Sequence, residues 1–192
     1  TILTNPDRPG NGTFYGGRTG TVVTFESVSE ATVLDGFTIT GGVGSADGGS
    51  GYGGGIWNQD GSPQITNCTI SGNSAISDGA GMYNYARYYT ASPTLTNCII
   101  SGNSGNGIYN HANSSGVASP TLTNCIISGN EGKGINNFAY SVGSTASPTL
   151  TNCIISGNPG GGIYNRAYQD GSTASPVLTN CTISGNGGRL YT

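Results

Sequence analysis

The sequence predicts an all-β fold of one kind, a single-stranded right-handed parallel β-helix (β-solenoid) of about seven coils of 27–31 residues. Three observations predict it: one block recurs along the chain, its cysteines keep a nearly constant spacing, and Pro and Gly bracket each short β-branched run. The block reads Ser62-Pro-Gln-Ile-Thr-Asn-Cys-Thr-Ile-Ser-Gly-Asn73 and returns at 92–103, 119–130, 147–158 and 175–186. Cys68, Cys98, Cys125, Cys153 and Cys181 are 30, 27, 28 and 28 residues apart. A degenerate earlier copy, Val33 to Gly41, carries Phe37 at the cysteine position.

A second block lies between copies of the first, at Gly55-Ile-Trp-Asn58, Gly81-Met-Tyr-Asn84, Gly107-Ile-Tyr-Asn110, Gly134-Ile-Asn-Asn137 and Gly162-Ile-Tyr-Asn165. The apolar runs of both blocks are too short for helices, and their flanking Pro and Gly forbid continuation. The period is too short for a four-stranded propeller blade. One turn of a solenoid, with two or three short strands each stacked on its copy in the next coil, fits. Strand alternation then places Leu95, Cys98 and Ile100 inside and Thr96 and Ile99 outside, with a bend at Asn97 where the phase changes. The equivalent residues Asn67, Asn97, Asn124, Asn152 and Asn180 are expected to form an internal amide ladder, and Asn58, Asn84, Asn110, Asn137 and Asn165 a second. Three aliphatic columns fill the core, begun by Leu34, Ile39 and Ile56. The chain reads as a single domain, 1–192, with an irregular N-terminal coil over 1–32 and regular repeats over 33–192. Insertions at 42–54 and 74–80 serve the early coils, and a longer connection at 166–174 serves a late one.

Composition narrows function by exclusion. Only 8% of residues are charged and the formal net charge is −3, so no clustered basic face exists to neutralise phosphates, and nucleic acid is not an expected partner. No apolar run approaches the roughly 20 residues of a membrane helix, so the chain is not expected to span a bilayer. Glycine, at 35 residues, is the outlier, and its fixed places in the repeat make it turn punctuation.

The two blocks resemble the parallel β-helix repeats of the pectate-lyase-like superfamily, nearest to non-catalytic bacterial secreted and surface proteins such as the polymorphic outer-membrane proteins with their Gly-Gly-x-Ile motif. The resemblance covers about Val33 to Thr192. It implies an extracellular or cell-surface location. It does not imply an activity, because the superfamily holds lyases, hydrolases, adhesins and inert scaffolds.

Each candidate site also has a plainer reading. The stacked cysteines read as a reduced packing column, since zinc needs ligands converging on one point. The lyases of the superfamily need calcium-binding carboxylates with a basic residue, and the hydrolases need clustered aspartates. Here the nine carboxylates fall in different columns, with Asp47 and Asp78 the best pair. No catalytic residue, cofactor site or metal site is assigned, and no enzyme activity is expected. His111 shares a mixed column with Gln59, Tyr85, Phe138 and Arg166 and reads as part of a solvated face. Three outward stripes carry more information. Trp57, Tyr83, Tyr109, Tyr164 and Tyr191 offer aromatic faces to a glycan; Thr66, Thr96, Thr123, Thr151 and Thr179 suit ice-like water; Ile99, Ile126 and Ile154 suit a lateral partner.

Opening on Thr, the chain reads as processed or excised. Gly187 to Thr192 matches Gly160 to Asn165, and Ile2 to Asn5 matches Thr94 to Asn97. Ile2, Leu3 and Asn5 at one end, with Leu190, Tyr191 and Thr192 at the other, are therefore expected either to join copies head to tail into a filament or to be the cut ends of a longer solenoid, part of a surface scaffold or adhesin. The leading expectation is an extracellular structural solenoid whose partners are other copies of itself. Polysaccharide binding or cleavage is the alternative, and ice binding a third.

Overall fold

A computed structural model describes residues 20–44, 51–75 and 78–188. The first coil holds β1 (Val23–Glu26), β2 (Val33–Asp35) and β3 (Thr38–Ile39); the second holds β4 (Ile56–Gln59), β5 (Gln64–Thr66) and β6 (Thr69–Ser71). The third holds β7 (Met82–Ala86), β8 (Thr94–Thr96) and β9 (Ile99–Ser101); the fourth holds β10 (Ile108–Ala112), β11 (Thr121–Thr123) and β12 (Ile126–Ser128). The last two hold β13 (Lys133–Ala139), β14 (Thr149–Thr151) and β15 (Ile154–Ser156), then β16 (Gly161–Ala167), β17 (Val177–Thr179) and β18 (Thr182–Ser184).

Every pairing is parallel and joins a strand to its equivalent one coil away. Three sheets of six strands result: a long sheet (β1-β4-β7-β10-β13-β16), a threonine sheet (β2 to β17) and an isoleucine sheet (β3 to β18). The described stack is thus six strands deep, one fewer than the seven coils expected; residues 1–19, in the irregular N-terminal part, lie outside the described residues. The expected columns form the core. Ile65, Leu95, Leu122 and Leu150 are fully buried, as are Ile70, Ile100, Ile127 and Ile155, and Ile56, Met82, Ile108 and Ile135. Each contributes about 1.5–3 kcal/mol of burial. A narrow second core of Ala86, Ala91, Ala112, Ala118, Ala139 and Ala146 closes the corner between the long and threonine sheets.

The bend between the threonine and isoleucine sheets lies where the phase change placed it. Asn67, Asn97, Asn124, Asn152 and Asn180 adopt φ of 52–55°, a left-handed backbone that Asn tolerates. Their ladder exists, with Asn97 Nδ2 donating to Asn67 Oδ1 at 3.3 Å and Asn124 to Asn97 likewise, but it runs along the outside of the corner, not inside. The left-handed residue turns its side chain away from the core while Cys98 turns in. Asp35 accepts from both Thr66 Oγ1 and Asn67 Nδ2 and closes this ladder at the first coil, which holds its carboxyl below the usual range.

Two ladders are internal. Asn58, Asn84, Asn110, Asn137 and Asn165 link by Nδ2-to-Oδ1 bonds of 2.8–3.0 Å, as expected. The other was not expected: Asn73, Asn103, Asn130, Asn158 and Asn186, at the end of the first block. From Asn103 onward each Oδ1 accepts both the Nδ2 and the backbone N–H of the Asn one coil earlier, and Asn73 Oδ1 accepts the Gly42 N–H. The signal was present, because Gly102 and its equivalents at φ near 60° turn the next residue inward.

Candidate functional site

Outer chemistry concentrates on the long sheet. Register sets Trp57, Tyr83, Tyr109, Asn136 and Tyr164 in one outward column and Gln59, Tyr85, His111, Phe138 and Arg166 in the next. Both columns match the sequence alignment, yet the first is not the open aromatic stripe expected from it. Trp57, Tyr83 and Tyr109 are only 5%, 2% and 7% exposed. Their rings lie beneath a second layer: Tyr52, from the insertion before β4, stacks on Tyr83 at 4.5 Å and 13°, and Tyr85 and Phe138 pack alongside. Strand alternation fixes which way a side chain points, not what a loop lays over it.

His111 is not on a solvated face either. Its ring stacks between Tyr109 (5.8 Å, 13°) and Phe138 (5.3 Å, 25°), and Nδ1 shares a 2.8 Å hydrogen bond with the Tyr83 hydroxyl. Burial lowers its pKa to about 4, so the ring is neutral at pH 7. His111 Nε2 is buried without a protein partner, as is Asn136 Oδ1. Burial also raises the Tyr83 and Tyr52 hydroxyls above their ordinary value, which keeps both protonated.

Asp78 borders this layer and accepts from Asn106 Nδ2 at 2.6 Å, while Asn106 Oδ1 accepts the Lys133 backbone N–H. Burial raises the Asp78 carboxyl, with the Lys133 charge opposing. Its expected companion Asp47 lies outside the described residues, as do Ile2, Leu3, Asn5, Leu190, Tyr191 and Thr192. Among the described residues no three of His, Cys, Asp and Glu converge on one point.

The aromatic surface opens in the late coils. Tyr140, Tyr164 and Tyr168 are 39%, 44% and 54% exposed. Tyr140 and Tyr168 stack at 5.2 Å and 5°, Arg166 lies 5.1 Å over Tyr168, and Lys133 lies 4.8 Å over Tyr164. Sequence reading missed Tyr140 and Tyr168. Their signal was the repeated Ala-Tyr after the second block, at Ala139-Tyr140 and Ala167-Tyr168.

The five cysteines are free thiols in one column, each donating to the carbonyl two residues before it, as Cys98 does to Thr96 at 3.4 Å. Contact with the neighbouring thiol and burial push Cys68 and Cys125 up, so both stay protonated. Ile99, Ile126 and Ile154 point outward, about 40% exposed. In the coil 161–188 the core columns open: Leu178 is 38% and Ile183 49% exposed, against none for Leu150 and Ile155.

Comparison with known proteins gives one family match, to the right handed beta helix region, over residues 10–189. No curated protein matches the chain.

Proposed function

This chain belongs to the right-handed β-helix family, and from that premise we propose that it is an extracellular structural solenoid, extended by stacking of coils into a filament or surface scaffold. The observation that carries the reading is the unbroken register of the three sheets: every described coil lays the same columns on its neighbour, so each coil is a template for a further one, from this chain or from another copy. The resemblance of the repeats to secreted and surface proteins supports the extracellular placement.

Sedimentation and negative-stain electron microscopy of the whole chain test this. Rods that lengthen with concentration are expected, and the double variant Leu178→Glu, Ile183→Glu should remain as single short rods. A wild-type chain that stays monomeric at high concentration would overturn the reading.

The exposed Tyr140, Tyr164 and Tyr168 with Arg166 favour a second reading, polysaccharide binding on the late coils of the long sheet. Retardation in polysaccharide-containing gels that is lost in Tyr140→Ala with Tyr168→Ala would support it; unchanged mobility of the wild type would exclude it.

A further inference from the structure

We propose that the outer face of the threonine sheet is an ice-binding surface. Strands β8, β11 and β14 each read Thr-Leu-Thr, with the Leu fully buried and both Thr side chains directed outward. Register aligns Thr94, Thr121 and Thr149 in one column and Thr96, Thr123 and Thr151 in a second. The six hydroxyls therefore form a two-dimensional lattice, with about 4.8 Å between strands and about 6.6 Å between alternate residues of one strand. The spacing between strands lies close to the shortest lattice repeat of hexagonal ice, so one direction of the array can register with an ice surface.

Three further observations favour water as the occupant. None of the six hydroxyls hydrogen-bonds to a described protein group, in contrast to Thr66 at the edge of the array, which donates to Asp35. Each Thr is β-branched and stiff at χ1, so the hydroxyls are held and not searching. The strands of the threonine and isoleucine sheets carry no charged residue apart from Asp35 in the first coil. A charge would impose its own radial hydration on the neighbouring waters; neutral hydroxyls and methyl groups do not. Across the bend the exposed Ile99, Ile126 and Ile154 continue this neutral surface.

The same wall suits other occupants poorly. A glycan platform uses aromatic ring faces, and neither sheet has an aromatic residue in its strands. A protein interface is anchored by large aromatic or Arg side chains in a desolvated centre, and the threonine lattice offers none.

The test is thermal hysteresis and ice-crystal shape measured on the whole chain. The wild type should show a gap between melting and freezing and grow faceted crystals. Thr121→Tyr, with its fold checked by circular dichroism, should lose the gap, whereas Glu131→Ala, on the exposed turn before β13 and off the threonine sheet, should keep it. Round crystals without a gap in the wild type would overturn the proposal, and so would a gap that survives in Thr121→Tyr.

Discussion

The long sheet and the threonine sheet are copied by the same repeat, yet their outer walls differ in kind. On the long sheet, outward Trp57, Tyr83 and Tyr109 have become a second, external core beneath Tyr52, Tyr85 and Phe138. On the threonine sheet the outward Thr94, Thr121 and Thr149 remain exposed. The cause is local. An insertion precedes β4 and supplies Tyr52, whereas the path into β8, β11 and β14 passes through Ser-Pro and the closely packed Ala91, Ala118 and Ala146, and no described residue there folds over the sheet. Periodicity therefore decides direction, and the irregular segments decide exposure.

The comparison breaks first at Tyr83. Replacing it with Ala removes a buried ring and the hydroxyl bonded to His111, so a loss of about 3–5 kcal/mol is expected in urea unfolding. A loss below about 1 kcal/mol would mean that the aromatic layer is not a core.

Acidity provides the next test. His111 titrates near 6.5 when unfolded and near 4 when folded, so the unfolded chain binds more protons between these values. Its contribution is fully present above pH 6.5 and is lost as pH falls through 4, amounting to about 3 kcal/mol. Asp78, whose carboxyl is raised, acts with opposite sign, so the effect is isolated by difference: His111→Phe should flatten the stability profile across this window.

A smaller effect separates inside from outside along the ladders. Asn103→Ala strips the acceptor from the buried Asn73 backbone N–H, while Asn73 Nδ2 keeps the Ile39 and Ser71 carbonyls, and should cost about 1–3 kcal/mol. Asn124→Gly on the exposed ladder keeps the left-handed bend and should cost well under that. Smallest of all, Thr123→Ala on the open wall should shift stability by no more than about 0.5 kcal/mol. A larger shift there would show that the threonine column stabilises the stack by itself.

Much of the fold was legible because the repeat states each constraint five times. Leu95, Cys98 and Ile100 could be set inside, and the bend set at Asn97, from alternation alone. The side on which the Asn97 ladder runs was not legible, because a left-handed residue reverses the alternation for itself and that reversal is conformational. The Asn103 ladder was legible in principle, since Gly102 precedes it in every copy. The burial of His111 was not, because its covering rings come from other coils: Tyr83 and Tyr85 from one, Phe138 from another. Sites that depend on one coil read well from sequence; those assembled from loops and several coils do not.

Identical register in successive coils has a consequence for heredity. The 28 residues Cys125 to Asn152 can be excised so that Asn124 runs directly into Cys153, and Leu122 then meets Leu178 as Leu150 did before. No column changes phase and no bend moves. Unequal recombination between neighbouring repeats therefore yields shorter or longer rods that are already foldable, so the length of such a molecule can vary between lineages by whole coils while its cross-section is preserved.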